Sequence, residues 1–390
     1  MRNLLSILIV IIPALGMIAG LASSTTIILF LIVSLVCLRD KLTFSLANIK
    51  LELAFMAWCL FSCFWSINLV SSLLHYVQIF AVVLIGLIIK NNINKLDEQN
   101  GTVEKPLIIG LFMAIGLFFI EYFSGGIISS AFRGIFQPGS AKLFYLHNLD
   151  RGCALFTLAS WIFIGFLFSR SQYFLSVLFY VFALYMLSIS DSLASFLAFF
   201  ASGIIIIICK LMTLRFVKLV SFCLIIGSIL MPIFAYKIDP VTISNNYNQY
   251  IPDSAKHRLF IWHFVADKIM DKPILGFGFN SSKNIKINDD EMIEYKGYSW
   301  SPLPLHPHNN IMQIFLETGF IGLCLFLALV YKLCKQIKLS DGKNLNYELI
   351  NFACFINYYI IGMISFGIWQ LWWVCSGIWA IIMLQYLRKP

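Results

Sequence analysis

Long apolar segments alternate with short polar ones along most of this 390-residue chain. Twelve apolar segments of about 15 to 23 residues can be counted, and roughly 20 residues are needed for an α-helix to cross the hydrocarbon of a membrane. The segments are residues 4–21, 25–38, 51–66, 71–89, 106–123, 152–169, 172–189, 192–209, 217–236, 308–331, 348–366 and 371–387. The pattern predicts an all-α polytopic membrane protein with about 12 transmembrane helices, folded as a single membrane domain over residues 1–390.

One long polar segment, residues 237–307, interrupts the pattern between the ninth and tenth apolar segments. Within it, Leu259, Trp262 and Val265 recur at the three-to-four-residue spacing of one helix face, while Asp267 and Lys268 occupy another. This spacing predicts an amphipathic helix of the kind that lies at a bilayer surface. A large loop that contains short helices is therefore expected here.

Basic residues predict the orientation of the chain. Hydrophobic residues make up 60% of the sequence and charged ones only 12%, which excludes an ordinary soluble globule. If the amino terminus is cytoplasmic, 17 of the 28 Lys and Arg residues fall in inner segments, and the short outer turns carry none. Both termini are therefore expected inside and the long loop outside. The net charge of +9 mostly reflects this distribution, and no nucleic-acid partner is expected.

Two histidines lie where the polar segment meets the tenth apolar segment. Pro307 and His308 are predicted to form the first turn of a helix, where proline is tolerated and free backbone N–H groups point outward. The positive end of the helix dipole disfavours an imidazolium, so His308 is expected to be neutral and able to accept a proton. The alternative is a histidine that marks the membrane boundary by hydrogen bonding to lipid headgroups.

Three arginines near the outer segments are candidates for binding an anion. Arg258 lies near the beginning of the amphipathic helix and has two equally supported roles: an interfacial residue that extends to the headgroups, or a planar clamp for phosphate or diphosphate. Arg133 and Arg151 belong to the other long outer segment, which is expected to be an irregular loop or re-entrant turn around residues 137–139. An ordinary surface role is favoured for these two.

Further polar and aromatic residues lie within the apolar segments. Glu317 is inside the tenth one, where ionisable groups are usually functional or paired. His308, Asn309 and Gln313 are expected to share one polar helix face with it. Tryptophans near the last outer turn are expected to form an interfacial aromatic belt, and the less favoured alternative is that their rings stack on sugars. These tryptophans are Trp369, Trp372, Trp373 and Trp379.

Four motifs resemble, in order and spacing, the signature of the O-antigen ligase and polymerase superfamily. They are Arg258-x-x-x-Trp262, the sequence KPILGFGFN at residues 272–280, the sequence HPHNNIMQ at residues 306–313, and Glu317-Thr318-Gly319. The chain departs from the family at one place, because it has Ser190-Asp191-Ser192 where the family often has Ser-Arg-Gly.

The resemblance implies inverting glycosyl transfer from an undecaprenyl-diphosphate-linked glycan at the periplasmic face of a Gram-negative inner membrane, without a metal or other cofactor. It implies that His308 activates the acceptor hydroxyl and that Arg258 binds the diphosphate. Arg151 or Arg133 is then expected to supply a second cation in place of the missing family arginine. Residues 237–307 are expected to form the large periplasmic loop. The other residues expected to contact substrate are Trp262, His306 and Asn309.

The favoured activity is that of an O-antigen ligase, which joins the polysaccharide to a sugar hydroxyl of lipid A-core, because one dominant outer loop and a length of 390 residues resemble the ligases. A polymerase of O-antigen or another surface polysaccharide is the main alternative. A protein O-oligosaccharyltransferase is a less favoured alternative, because those enzymes are usually longer than this chain. A transporter of lipid-linked glycan would carry charges deep in several spans, whereas the polar residues here cluster at one outer face. The expected partners are the lipid-linked donor, lipid A-core and membrane lipid.

Overall fold

The computed structural model describes residues 2–43, 49–96, 103–136, 146–212, 214–247, 249–295, 297–335 and 343–387. Within these residues the chain forms α-helices and a few short 3-10 turns, and a long connection, residues 272–309, contains one small β-hairpin. The helices up to the long polar segment are α1 (Arg2–Ile18), α2 (Ser23–Leu38), α3 (Lys50–Cys63), α4 (Leu69–Asn92), α5 (Glu104–Ser124), α6 (Ile127–Phe136), α7 (Asp150–Ser169), α8 (Tyr173–Ser188), α9 (Leu193–Met212) and α10 (Leu214–Lys237). The elements that follow are α11 (Pro240–Asn246), α12 (Asp253–Asp271), β1 (Ile293–Tyr295), β2 (Tyr298–Trp300), α13 (Asn310–Lys335), α14 (Lys343–Ile364) and α15 (Leu371–Leu387).

Each of the twelve predicted apolar segments overlaps one helix, namely α1–α5, α7–α10 and α13–α15. Eight helical regions of the described residues are long and apolar enough to cross a membrane: Gly20–Lys41, Leu69–Asn92, Glu104–Ser124, Asp150–Ser169, Leu193–Leu211, Phe216–Lys237, Asn310–Lys335 and Tyr347–Ile364. The apolar helices Asn3–Ile18, Tyr173–Ser188 and Leu371–Leu387 are shorter. The chain is therefore a multi-pass membrane protein that is mainly helical over the described residues.

Helix α7 lies at the centre of the bundle: it contacts α1, α5, α8, α9, α14 and α15 and is buried almost throughout its length. Close backbone approach explains part of this packing. A Cβ atom at Gly152 would lie 2.3 Å from the carbonyl oxygen of Met17, and one at Gly110 would lie 2.5 Å from that of Val10. Glycine therefore lets α1 approach both α5 and α7, as small residues commonly do between membrane helices.

Ion pairs join helix ends that the charge pattern places at the cytoplasmic side. Lys332 of α13 lies 2.7 Å from Glu52 of α3, and Arg170, directly after α7, lies 2.7 Å from Glu104 of α5. Each pair links the end of one helix to the beginning of another, as expected for antiparallel neighbours. Both pairs are partly exposed, so each contributes modestly, by about 0–1 kcal/mol.

The segment between α5 and α7 contains the helix α6, so the expectation of an irregular loop is corrected for residues 127–136. The buried carboxylate of Glu121 accepts hydrogen bonds from the backbone N–H groups of Ile128 and Ser129, at 2.7 and 3.1 Å. A carboxylate favours a helix at this point because the first N–H groups of a helix have no partner within it. The predicted turn at residues 137–139 lies outside the described residues.

The amphipathic helix predicted in the long polar segment is present as α12, but its apolar face packs on protein. Phe260, Ile261, Val265 and Ile269 are buried, and α12 contacts α10 and α13. The prediction that this face lies on the bilayer surface is therefore wrong. An apolar stripe suits a bilayer and a neighbouring helix equally well, and spacing alone does not distinguish the two.

The docking loop, defined as residues 273–282, follows α12 and attaches to an interruption in α13. At Gly319 the backbone has φ 67° and ψ −171°, which breaks the helical path. The carbonyl oxygen of Glu317 accepts a hydrogen bond from the N–H of Gly278 at 2.7 Å, and Phe320 donates to the first residue of the loop at 2.9 Å. The loop thus supplies partners for backbone groups that an interrupted helix would leave unpaired in an apolar setting.

The side chain of Glu317 also holds the docking loop. It is fully buried, and its carboxylate accepts hydrogen bonds from five donors. These are the N–H of Asn280 (2.6 Å), Nε1 of Trp369 (2.6 Å), Nε2 of Gln313 (3.2 Å), and both the N–H (3.2 Å) and the hydroxyl of Ser282. Five donors compensate for the hydration that a buried carboxylate loses.

The four tryptophans that were expected to form an interfacial belt are buried instead, so that expectation is corrected. Their exposed fractions are 4% for Trp369, 3% for Trp372 and 0% for Trp373 and Trp379. Tyr358 stacks on Trp373 with ring centroids 4.2 Å apart. The rings are enclosed because α15 lies against α2, α4 and α7.

We expect Gly319→Ala to destabilise the protein more than Gly297→Ala. Both glycines have positive φ, 67° and 77°, so alanine carries backbone strain of about 1–3 kcal/mol at either position. At Gly319 the added Cβ would also lie 2.1 Å from the carbonyl oxygen of Ile274, whereas no atom lies within 4 Å at Gly297. Thermal unfolding in detergent, followed by tryptophan fluorescence, should give the lower midpoint for Gly319→Ala. Equal midpoints would contradict the attachment of the docking loop at this glycine.

Candidate functional site

His308 lies just before α13, in a backbone conformation that non-glycine residues rarely adopt. Its φ is 54°, and α13 begins two residues later at Asn310. The side-chain oxygen of Asn309 accepts a hydrogen bond from the N–H of Met312 at 3.0 Å and thereby caps the helix. The prediction that Pro307 and His308 form the first helical turn is therefore wrong, because the asparagine cap follows them.

Hydrogen bonding determines which nitrogen of His308 carries the proton. Nδ1 lies 2.6 Å from the carbonyl oxygen of Ser365, in the turn that joins α14 to α15. A carbonyl only accepts hydrogen bonds, so Nδ1 carries the proton of the neutral ring and Nε2 keeps its lone pair. Nε2 is therefore the nitrogen that can accept a proton from a substrate.

The environment of His308 favours the neutral ring. Burial lowers its pKa below the ordinary value of 6.5, the hydrogen bond to Ser365 opposes this, and the charges of Arg258 and His257 lower it further. A neutral ring was also predicted from the sequence, but on the basis of the helix dipole. The causes in the structure are burial and neighbouring charges, and they leave His308 available as a base at neutral pH.

His306 packs against His308, with ring centroids 4.3 Å apart, and is 9% exposed. Its Nδ1 lies 3.1 Å from the backbone nitrogen of His308, and its Nε2 lies 2.9 Å from the side-chain amide of Gln370. Burial, followed by the charges of His308 and Arg151, lowers the pKa of His306 to about 3. His306 is therefore neutral at physiological pH.

Helix α12 brings Arg258 and Trp262 to the two histidines. Nε1 of Trp262 donates to the carbonyl of Pro307 at 3.0 Å, which ties α12 to the segment before α13. Arg258 lies one turn earlier, and its Nη1 donates to the carbonyl of Ser254 at 3.3 Å. Its Nε is buried and has no hydrogen-bond partner among the described residues, and burial lowers the pKa of its guanidinium. A partly buried guanidinium with an unused donor is suited to binding an anion.

Arg151, the second residue of α7, belongs to the same cluster. A Cβ at Gly20 would lie 2.4 Å from the Cβ of Arg151, so glycine makes room for the arginine. Nε of Arg151 is buried and unpartnered in the described part of the chain. Its charge acts on His306, and Asp150 interacts electrostatically with both Arg151 and Arg258. Electrostatic interactions thus link the two arginines to His257, His306 and His308 and to Asp150, on which Asp191 also acts.

The other candidates from the sequence have different surroundings. Arg133 is in α6, and its side chain lies outside the described residues. Asn309 uses its oxygen as the helix cap, and its Nδ2 is buried without a partner among the described groups. The expected common polar face is corrected: Gln313 bonds to Glu317, whereas His308 and Asn309 precede the helix and bond elsewhere.

Sequence reasoning missed Asp150, Ser365 and Gln370. Ser365 contributes a main-chain carbonyl, which every residue carries, so no sequence signal identifies it. Gln370 is 64 residues from His306, and its contact depends on how the turn between α14 and α15 folds. Asp150 directly precedes Arg151 at the start of a predicted span. An acidic residue next to a basic one at such a place could have indicated a polar site.

The cluster combines a proton acceptor with two cations. A neutral imidazole can act as a base, and two guanidinium groups can neutralise an anionic leaving group. A small apolar pocket lies between α12 and the end of α10. It is lined by Met231, Phe234, Ala235, Ile238, Leu259 and Trp262. Across the described ranges, no three His, Cys, Asp or Glu side chains are grouped as ligands for a metal ion. The arrangement suits a substrate with both an anionic and an apolar part.

Comparisons with known proteins agree with the motifs. Residues 178–327, from α8 to α13, match a family model described as O-Antigen ligase. A protein of Rickettsia felis is 46% identical over 417 residues, covering 100% of this chain and 98% of that protein. Proteins of Rickettsia bellii and Rickettsia prowazekii are 44% and 43% identical, covering 98% and 100% of this chain and 97% and 98% of their own length.

All three relatives have names that begin “Putative polysaccharide ligase”. Their similarity extends over nearly the whole chain, and the family model covers the segment that carries Arg258 and His308. These findings confirm the resemblance that the motifs indicated: the chain belongs to the O-antigen ligase family.

Proposed function

We propose that this protein is an O-antigen ligase that transfers a polysaccharide from undecaprenyl diphosphate to a sugar hydroxyl of lipid A-core. One observation carries the proposal: a neutral His308 with an unprotonated Nε2 lies in the same cluster as two guanidinium groups whose buried Nε donors lack partners among the described residues. Membership of the O-antigen ligase family supports the reaction class, and the names of the relatives support a polysaccharide as the group transferred.

In the proposed reaction the acceptor hydroxyl attacks the anomeric carbon of the donor from the face opposite the diphosphate. A glycosidic C–O bond forms, the bond to the diphosphate breaks with its electron pair, and the configuration inverts. Nε2 of His308 takes the hydroxyl proton as the new bond forms. Arg258 and Arg151 neutralise the charge that develops on the departing undecaprenyl diphosphate. Diphosphate leaves as a stable anion, so this route uses no proton donor, metal or other cofactor.

The proposed location is the inner membrane of a Gram-negative bacterium, with the site at the periplasmic face. The positive-inside pattern supports both termini in the cytoplasm and residues 237–307 as a periplasmic loop. In this topology twelve helices cross the membrane, including α1, α3, α8 and α15, which are shorter than 18 residues.

A transfer assay with purified components tests the proposal. The protein is incubated with an undecaprenyl-diphosphate-linked glycan and lipid A-core, and both expected products, glycan-bearing lipid A-core and undecaprenyl diphosphate, are measured. Cells that lack the gene should lose all polymer from lipid A-core. A core that still bears a single repeat would instead identify a polymerase, which would use the same donor.

Removing the proposed base should slow transfer without preventing donor binding. His308→Ala is expected to lower kcat by about 100-fold to 10,000-fold, the usual loss for a positioned base. The matched control is His263→Ala, because His263 lies on α12 and also places Nδ1 near a carbonyl, that of Ala235 at 3.1 Å. A folded His308→Ala protein that transfers at the wild-type rate would show that another group takes the proton.

The pH profile reports on the same base. The pKa of His308 lies below 6.5, so kcat/KM should be constant at neutral pH and should fall as the pH drops through that lowered pKa, where the base becomes protonated. This acidic limb should be absent from His308→Ala and present in His263→Ala.

Arg258→Lys should weaken use of the donor although it keeps the charge, because an ammonium lacks the planar fork of donors. Loss of one charge-assisted hydrogen bond of about 1.5–3 kcal/mol predicts a fall in kcat/KM for the donor of about 10-fold to 100-fold. Arg170→Lys is the matched control, since Arg170 pairs with Glu104 at the other end of α7 from Arg151. Full activity of Arg258→Lys would leave Arg258 with only a surface role.

The proposed topology predicts opposite labelling of two exposed positions. Asp40 and Asp290 are both exposed, and the charge pattern puts Asp40 in the cytoplasm and Asp290 in the periplasm. Each is replaced by cysteine in a cysteine-free version of the protein. An impermeant thiol reagent applied from the periplasmic side should label Asp290→Cys and spare Asp40→Cys until the inner membrane is opened. Labelling of both before that point would rule out the topology.

A further inference from the structure

We propose that His306 and Gln370 form a positioning pair that holds His308 in its working conformation, and that neither residue binds substrate. The inference rests on the proposed function, because it concerns how the proposed base is oriented. It departs from the sequence-based expectation that His306 contacts substrate.

The direction of one hydrogen bond shows that His306 does not take up a proton. The backbone N–H of His308 donates to Nδ1 of His306 at 3.1 Å, so Nδ1 holds a lone pair. A second proton on this ring would have to sit on Nδ1, and its N–H would then point directly at the backbone N–H of His308. This holds whichever way the side-chain amide of Gln370 is turned. His306 is therefore an acceptor for one backbone N–H and not a base.

That backbone N–H belongs to a residue in an unfavourable conformation. His308 has φ 54°, in the left-handed region that L-residues with side chains rarely adopt. Such conformations persist only where the surroundings hold them. The bond from the N–H of His308 to the ring of His306 supplies one such constraint. Without it the backbone would relax, and the His308 ring would turn away from the carbonyl of Ser365.

The turn between α14 and α15 holds both rings. Because Nδ1 accepts a hydrogen bond, the neutral His306 ring carries its proton on Nε2, which lies 2.9 Å from the side-chain amide of Gln370 and donates to the amide oxygen when that amide is turned toward the ring. A Cβ at Gly367 would lie 2.9 Å from Cγ of His306, so the ring rests directly on this turn. The same turn supplies the Ser365 carbonyl that accepts from Nδ1 of His308.

A neutral acceptor suits this position. The two rings are 4.3 Å apart, so a permanent cation in place of His306 would make the neighbouring base harder to protonate and therefore weaker. A histidine with no room for a second proton accepts the backbone hydrogen bond without adding charge.

Two substitutions of His306 separate hydrogen bonding from packing. His306→Asn keeps a side-chain oxygen that can accept from the N–H two residues later, a common local bond of asparagine, but it loses the ring. His306→Phe keeps an aromatic ring and loses the acceptor. Steady-state transfer is measured with donor and acceptor varied separately, over a range of pH, beside wild type and His308→Ala.

We expect His306→Phe to lose about 100-fold in kcat, the effect of misplacing a reacting group by about 1 Å, with little change in KM for the donor. His306→Asn should be at least about tenfold faster than His306→Phe and should keep the acidic limb of the pH profile.

A His306→Phe protein as fast as His306→Asn would overturn the proposal, because packing alone would then explain His306. If that result came with a slow His308→Ala, the proposed function would still stand. A fast His308→Ala would instead overturn the assignment of the base. Loss of the acidic limb in His306→Asn would make His306 the base and overturn both.

Gln370→Leu tests the second member of the pair. It also tests the proposal if neither His306 variant elutes as a folded protein in detergent. It removes the partner of Nε2 but leaves Nδ1 of His306 as an acceptor. Its kcat should fall between those of wild type and His306→Phe, with the acidic limb unchanged. A wild-type kcat would overturn the role of Gln370.

Discussion

The buried carboxylate of Glu317 holds together the parts of the chain that form the site. Its hydrogen bonds reach three elements: the docking loop through Asn280 and Ser282, α13 through Gln313, and the turn between α14 and α15 through Trp369. A carboxylate without donors is strongly unfavourable in an apolar interior, so the arrangement that keeps all five donors in place is preferred. The loop, the helix and the turn therefore cannot shift independently of one another.

These three elements also determine where the candidate base and cation lie. The docking loop follows α12, so its attachment to α13 sets the position of the helix that carries Arg258. His308 directly precedes α13, and the turn supplies the carbonyl of Ser365. Gln313 adds a second link, because its side-chain oxygen accepts from the N–H of Ile368 at 3.0 Å. Groups far apart in the sequence are thus positioned by polar contacts beneath the site.

The helices could be predicted from sequence because an apolar environment forces backbone groups to pair within one segment. The motifs around Arg258 and His308 also indicated the family correctly. Two of the errors share one cause: an apolar stripe shows that a face is removed from water, but not what removes it. The face of α12 was assigned to the bilayer, and Trp373 and Trp379 to a belt, yet all of them pack on protein. The partner of His308 could not be predicted, since Ser365 contributes a main-chain carbonyl.

The electrostatics of the cluster meet two requirements with the same charges. A cation that is suited to bind diphosphate must be near the reacting carbon, and a base must be free of its proton there. The charge of Arg258 disfavours a proton on His308, and burial acts in the same direction. Burial also strengthens the attraction between a guanidinium and an anion, because the local dielectric constant is low. Asp150 interacts with both arginines and so reduces the cost of placing two positive charges close together. The charges proposed to hold the leaving group therefore also keep His308 unprotonated at neutral pH, at some cost to its strength as a base.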